Sequence, residues 1–187
     1  MEVNYKKQTL DEIMETYGTS ILKLSYSYVK SYQIAEEITQ EVFLTCYMKL
    51  DEFKGDSTLK TWLYRIAINK CKDYLKSWSY KYTIVTSQLT IFSGDDGINT
   101  PERLVMLSEG KKHLIKSIMN LPIKYREVLF LYYFEELNIR EISTLLDVNE
   151  NTLKSRMIKS RELLKSKLEK GDVDVRQAIN GIESGYE

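Results

Sequence analysis

The chain has 187 residues, 43% of them apolar and 29% charged, with 27 Lys and Arg against 27 Asp and Glu. That size allows one or two small domains of the soluble globular type. A formal net charge of zero excludes a general polybasic hold on nucleic acid, so any such binding must come from particular helices.

Eight glycines and two prolines fit a mainly helical chain. Met1-Glu2-Val3-Asn4-Tyr5-Lys6-Lys7 is not followed by the apolar run of a signal peptide. No stretch is long and apolar enough to span a bilayer, and the chain is expected in a reducing cytoplasm. Cys46 and Cys71 are isolated, with no Cys-x-x-Cys and no nearby histidine to complete a zinc site. Both lie beside apolar residues in predicted helices and read as small buried thiols. His113, the only histidine, has no evident catalytic partner. No cofactor, metal or enzymatic activity is expected.

In chain order, Leu10, Ile13, Met14, Tyr17, Ile21, Leu24 and Tyr28 mark one face of a helix running to about Lys30, with Thr9 as its N-cap. A second helix spans about Gln33 to Lys49. Ile34, Ile38, Val42 and Phe43 face inward, and Glu36, Gln40 and Glu41 outward, with Glu37 near the boundary. Glu37 and Glu41 stack one turn apart. Such a pair can hold Mg²⁺, but the site would need further oxygen ligands, and no second carboxylate pair supplies them.

The segment from Asp51 to Thr58 is a loop, and a third helix follows from about Leu59 to Trp78. Trp62, Leu63 and Ile66 are expected in its core, while Lys60, Arg65, Asn69, Lys72 and Lys76 give polar and basic positions. A polar loop opening into a basic helix is a candidate single-strand surface. Periodicity fails around Tyr80. Thr83 to Thr86 and Thr90 to Phe92 hint at strands, but Ser93-Gly94-Asp95-Asp96-Gly97 breaks them up, and Tyr80 to Asn99 reads as an interdomain linker.

Thr100-Pro101-Glu102 then opens a helix in the preferred way. Another begins near Pro122 and carries Tyr125, Val128, Leu129, Leu131, Tyr132 and Phe134 toward a helix-turn-helix. There Ile142, Leu145 and Leu146 share one face of a short helix, Asp147 sits at the turn, and Asn149 caps the next helix. Leu153, Met157, Leu164 and Leu168 recur at buried spacing, leaving Lys154, Ser155, Ile158, Lys159 and Glu162 on the opposite face. A helix-turn-helix presents such a face to the major groove, N-terminal end first. The competing reading is a plain helical hairpin with a solvated basic face. The small Ser143, the polar Asn149-Glu150-Asn151-Thr152 turn and Lys154-Ser155-Arg156 together favour DNA. The helix persists to about Lys170, Gly171 stops it, and an acidic tail has little to bury.

With both halves placed, the chain resembles an extracytoplasmic-function (ECF) sigma factor of RNA polymerase. The likeness runs from Leu10 to Leu168. It rests on Ala35-Glu36-Glu37-Ile38-Thr39-Gln40-Glu41-Val42-Phe43, on the run from Phe53 to Ala67, on Leu121-Pro122-Ile123-Lys124-Tyr125-Arg126-Glu127-Val128, and on Asn151-Thr152-Leu153-Lys154-Ser155-Arg156. The resemblance implies an all-α fold of two small helical domains joined by a flexible linker: residues 1–80, linker 81–99 and residues 100–170; the acidic tail 171–187 is not accounted for by the family's two domains.

It also implies binding to core RNA polymerase through Glu36, Glu37, Gln40 and Glu41. A −10 promoter element would be read by Lys54, Gly55, Asp56, Ser57, Lys60, Arg65, Asn69 and Lys72. A −35 element would be read by Asn151, Thr152, Lys154, Ser155, Arg156, Ile158, Lys159 and Arg161, with Arg156 and Arg161 flanking the base-reading face and meeting phosphates. An anti-sigma factor is a further implied partner. Asn151 and Asp147 stand where the family often has Gly, which bears on the −35 sequence. The rival readings are a two-domain regulator with an N-terminal sensor and, more distantly, a metal-dependent hydrolase built on Glu37 and Glu41.

Overall fold

The computed structural model describes residues 2–86 and 109–168. The chain divides into two compact units, Met1–Gly97 and Ile98–Glu187. Among the described residues the structure is helical throughout, as expected, with seven α-helices.

The first unit packs α1 (Glu2–Val29), α2 (Tyr32–Lys49) and α3 (Leu59–Thr86) against one another. Ile13, Ile21, Leu24 and Tyr28 of α1 meet Ala35, Ile38, Val42, Phe43 and Cys46 of α2 and Leu63, Tyr64, Ala67, Ile68 and Cys71 of α3 in the core. Each fully buried side chain of this kind contributes about 1.5–3 kcal/mol. Burial pushes both thiols up to about 11, so Cys46 and Cys71 stay neutral near neutral pH and serve as small apolar fillers.

Several expectations are corrected here. α1 begins seven residues before Thr9, so Thr9 lies inside the helix and not at its cap. Met14, at the edge of the arc that Ile13, Ile21, Leu24 and Tyr28 turn inward, is 44% exposed. On α3, Trp62 and Ile66 are only half-buried and the core stripe is Leu63, Tyr64, Ala67 and Ile68. The runs Trp62-Leu63-Tyr64 and Ile66-Ala67-Ile68 are apolar throughout, so spacing alone does not choose among neighbouring faces. α3 also continues to Thr86, through the Thr83–Thr86 stretch that hinted at a strand and into the segment read as linker. No Gly or Pro stands between Gly55 and Gly94 to stop it, and β-branched residues cost a helix only a few tenths of a kcal/mol each. The Thr100-Pro101-Glu102 helix start, the Thr90–Phe92 hint and the acidic tail lie outside the described residues.

The second unit comprises α4 (Glu109–Met119), α5 (Ile123–Leu129), a π-helical turn (Phe130–Phe134), α6 (Ile139–Leu146) and α7 (Glu150–Lys167). Its polar pivot is Arg126, 1% exposed, whose guanidinium donates to the carbonyls of Met119 and Leu121. A cation there satisfies carbonyls left over where α4 ends and sits favourably at the negative end of the helix dipole. After α5 the π turn closes with Glu135 N–H on Phe130 O and Leu137 N–H on Leu131 O, and the chain swings into α6.

The helix-turn-helix follows the expected lines. Asn138 and Glu141 cap α6 reciprocally: Asn138 Oδ1 accepts from Glu141 N at 3.0 Å, and Glu141 Oε2 accepts from Asn138 N at 2.8 Å. This Asn-x-x-Glu capping box was legible in the sequence, though the reading placed no cap there. Ile142, Leu145 and Leu146 are buried. Asp147 turns the chain in the left-handed region (φ 55°, ψ 50°), and Ser143 Oγ donates to Val148 O at 2.6 Å across the turn. An L-residue in that region costs about 1–2 kcal/mol, less for Asp because its short polar side chain bonds locally. Asp147→Gly is therefore expected to raise stability by up to about 1 kcal/mol, and Asp147→Val to lower it by about 1–2 kcal/mol, measured by thermal unfolding. Equal midpoints for the two variants would contradict strain at this turn.

Candidate nucleic-acid interface

The exposed face of α7 is built by its cap and its buried stripe. Asn149 Oδ1 accepts from Asn151 N at 2.8 Å. Leu153, Met157, Ser160 and Leu164 are buried, and Leu168, expected among them, is half-buried at the helix end. That geometry turns Asn151, Thr152, Lys154, Ser155, Ile158 and Lys159 outward, all exposed, as the apolar spacing predicted. Ile158 is 61% exposed. A branched apolar side chain held in water on a polar helix face suits contact with a thymine methyl. Lys159 Nζ donates to Glu162 Oε2 at 2.9 Å, and this partner raises the lysine's pKa. A solvent-exposed pair of this kind is weak, screened by water and salt, so it does not prevent the ammonium from turning to DNA.

Arg156 and Arg161 lie differently from the other six. Arg156 is half-buried, its guanidinium 3.4 Å from Glu127 Oε1 of α5. Arg161 Nε donates to Tyr133 Oη at 3.0 Å, and its guanidinium carbon lies 5.9 Å and 5.7 Å from the Tyr132 and Tyr133 ring centres. Both side chains are engaged inside the unit.

In the first unit, Phe53 packs on Trp62 with ring centres 5.2 Å apart. Between them Gly55 adopts φ 76°, with nothing within 4 Å of where a Cβ would sit. Backbone conformation, not space, calls for glycine here. Thr58 Oγ1 accepts from Thr61 N at 3.1 Å and caps the start of α3. Lys54 and Asp56 are exposed, and Ser57 is half-buried. Along α3, Arg65 and Asn69 are exposed and Lys72 half-buried; their spacing of four and three places them on one helix face. Lys60 is half-buried, its ammonium 5.5 Å from the Tyr64 ring centre.

On α2, Glu36, Glu37, Gln40 and Glu41 are all exposed. Glu41 Oε2 accepts from Lys70 Nζ of α3 at 3.1 Å. Leu44 and Met48, each 59% exposed, continue the Glu37–Glu41 row at helical spacing. They give the acidic stripe an apolar end that the sequence reading did not single out; the signal was the spacing 37, 41, 44, 48. Among the described residues no cluster of three or more His, Cys, Asp or Glu could hold a metal ion, and no helix is long and apolar enough to cross a membrane.

Residues 13–79 match the family model of sigma-70 region 2, and residues 111–164 that of sigma-70 region 4. The chain is 34% identical over 164 residues to the ECF RNA polymerase sigma factor SigW of Bacillus subtilis, covering 84% of this chain and 87% of that one. It is 32% identical over 169 residues to the RNA polymerase sigma-H factor of Pseudomonas aeruginosa, covering 87% and 88%. Among solved structures, the sigma factor RpoE in complex with the anti-sigma factor NepR from Bartonella quintana aligns with a TM-score of 0.68 at 17% identity, over 86% of this chain and 97% of that one. CnrH in complex with the cytosolic domain of CnrY aligns with a TM-score of 0.62 at 18% identity, over 87% and 88%.

Proposed function

The chain belongs to the ECF sigma factors of RNA polymerase, and from that membership we propose how its two units divide the work of promoter recognition. As a sigma factor it directs core polymerase to promoters and initiates transcription; the regulator reading, with its N-terminal sensor, is set aside by the region 2 match across residues 13–79. It acts as an initiation factor and not as an enzyme, because bond formation belongs to the polymerase, and it works in the cytoplasm.

In the proposed division, residues 1–80 hold polymerase and read the −10 element, 81–99 connect, and 100–170 read the −35 element. The observation that carries the −35 assignment is the outward row Asn151, Thr152, Lys154, Ser155, Ile158 and Lys159 at the N-terminal half of a helix capped by Asn149. These side-chain types bond and pack on base edges in the major groove. For the −10 element, the support is the Gly55-Asp56-Ser57 loop capped directly into α3 by Thr58, with Lys54 and Lys60 nearby in sequence and Arg65, Asn69 and Lys72 along the helix. Exposed backbone and hydroxyl groups beside a basic helix suit a base taken out of the stack and a strand whose phosphates need neutralising. The Glu36, Glu37, Gln40 and Glu41 face of α2, lengthened by Leu44 and Met48, suits a basic partner surface with an apolar centre.

An anti-sigma factor is the further partner. The support is that the RpoE and CnrH structures which share the fold are each complexes, with the anti-sigma factor NepR and with the cytosolic domain of CnrY.

The test is run-off transcription with core polymerase on genomic fragments, followed by start-site mapping and variation of the −10 element. Asp56→Ala with Ser57→Ala is expected to relax preference at one −10 position by about 1–3 kcal/mol, roughly 5- to 150-fold, more than it lowers overall affinity. A uniform loss over all −10 variants would make the loop merely structural.

A further inference from the structure

We propose that Arg156 and Arg161 are positioning residues that clasp α7 to α5 and its π turn, and that Glu127 is the other half of that clasp, so that the −35 preference depends on an ion pair between half-buried Arg156 and buried Glu127 which itself touches no DNA. The inference rests on the reading of α7 as the −35 helix.

Three polar ties run from α7 to α5 and its π turn. Arg156 meets Glu127, with side chains 26% and 6% exposed. At 3.4 Å the contact is long for a charge-assisted hydrogen bond, so it acts as an ion pair more than a directed bond. One turn on, Ser160 Oγ lies 3.1 Å from the Tyr125 carbonyl and 2.6 Å from the Arg156 carbonyl. Next to it Arg161 lies over the Tyr132 and Tyr133 rings and donates to Tyr133 Oη at 3.0 Å. All three engage α5 or its π turn, and Asn151, Ser155 and Ile158 point away from them on the other side of the helix. Glu127 is buried, a setting in which a carboxylate requires partners, and turning Arg156 outward to a phosphate would take one away.

The placement matters because base reading is sensitive to helix angle. α7 spans 18 residues, and four of its outward side chains, Asn151, Thr152, Lys154 and Ser155, lie toward the end beyond these ties. A tilt of about 5° pivoting near Ser160 moves a lysine tip at the N-terminal end by roughly 1 Å, more than the spread of distances a hydrogen bond tolerates. Phosphate contacts through long flexible side chains absorb such a shift; bonds to base edges do not. Loosening the clasp therefore lowers discrimination before it lowers non-specific attraction.

The experiment uses holoenzyme assembled from the full chain and core RNA polymerase. Its probe is a duplex selected by wild-type holoenzyme from a randomised library, with single changes across the −35 element, bound at several salt concentrations. Glu127→Gln and Arg156→Gln are each expected to reduce preference for the selected −35 bases about tenfold, with the double variant no worse than either single. The slope of log affinity against log salt should stay unchanged. Arg156→Lys, which keeps the charge of the pair, should retain most of the preference, whereas Tyr133→Phe, which removes the acceptor of Arg161, should lose it in the same way and decides the matter if Glu127→Gln fails to fold. The proposal is overturned if Arg156→Gln flattens the salt slope by roughly one unit and weakens all duplexes alike while Glu127→Gln binds as well as or better than wild type. A preference lost in Lys154→Ala but retained in Glu127→Gln overturns the clasp alone. A wild-type holoenzyme indifferent to every −35 change removes α7 as the reader, and the clasp with it.

Discussion

Glu41→Lys combined with Gln40→Ala is expected to weaken assembly with core polymerase by about tenfold or more, the scale on which like charges set against a complementary interface act. Both residues are exposed on α2 beside Glu36 and Glu37, Gln40 directly across the helix from buried Ile38 and Val42 and Glu41 on the flank that meets Lys70 of α3. Helix content should be unchanged, because neither side chain contributes to the core. The Glu41–Lys70 pair at 3.1 Å supplies the control. Its members are 60% and 35% exposed, so removing it costs at most about 1 kcal/mol of stability. Lys70→Ala abolishes this tie but leaves the acidic face for polymerase and should assemble normally. Wild-type affinity for core in the double variant, measured by competition for a labelled holoenzyme, would remove α2 from the interface. A Lys70→Ala defect as large as the double variant's would instead assign the effect to the α2–α3 tie.

The second large effect lies on α7, proposed above as the −35 helix. Lys154→Ala is expected to cost about 1–3 kcal/mol at one −35 position and to leave the other positions ranked as before. Lys154 is exposed one residue beyond buried Leu153, in the N-terminal part of α7, where a recognition helix meets base edges. Lys159, with Glu162 as an intrahelical partner at 2.9 Å, exchanges one ion pair for another on binding, and its replacement should cost less than that of Lys154. Holoenzyme binding to a panel of −35 variants at several salt concentrations separates the two kinds of loss. An even loss across the panel, with the salt slope flattened by roughly one unit, would make Lys154 a phosphate contact.

The sequence by itself determined the helical class, the face that α7 turns outward and the turn that aims it. Those follow from local chemistry: apolar residues three and four apart, an Asn that caps, and an Asp that tolerates the left-handed region at 147. The motifs around Glu37, Gly55 and Lys154 also carried the family resemblance, because the residues that meet a partner are outward-facing and need no tertiary context to be named. The extension of α3 to Thr86 was also local, set by the lack of a helix breaker before Gly94. Tertiary structure decided two other things. It chose Leu63 and Tyr64 over Trp62 for the α3 core, since an unbroken apolar run has no preferred face until other helices cover it. And it turned Arg126, Glu127, Arg156 and Arg161 inward. In a sequence, an arginine that caps a helix end or pairs with a buried carboxylate looks the same as one awaiting phosphate. Only the approach of α5 and the π turn to α7 supplies the acceptors, and their short reach settles which arginines stay inside the unit.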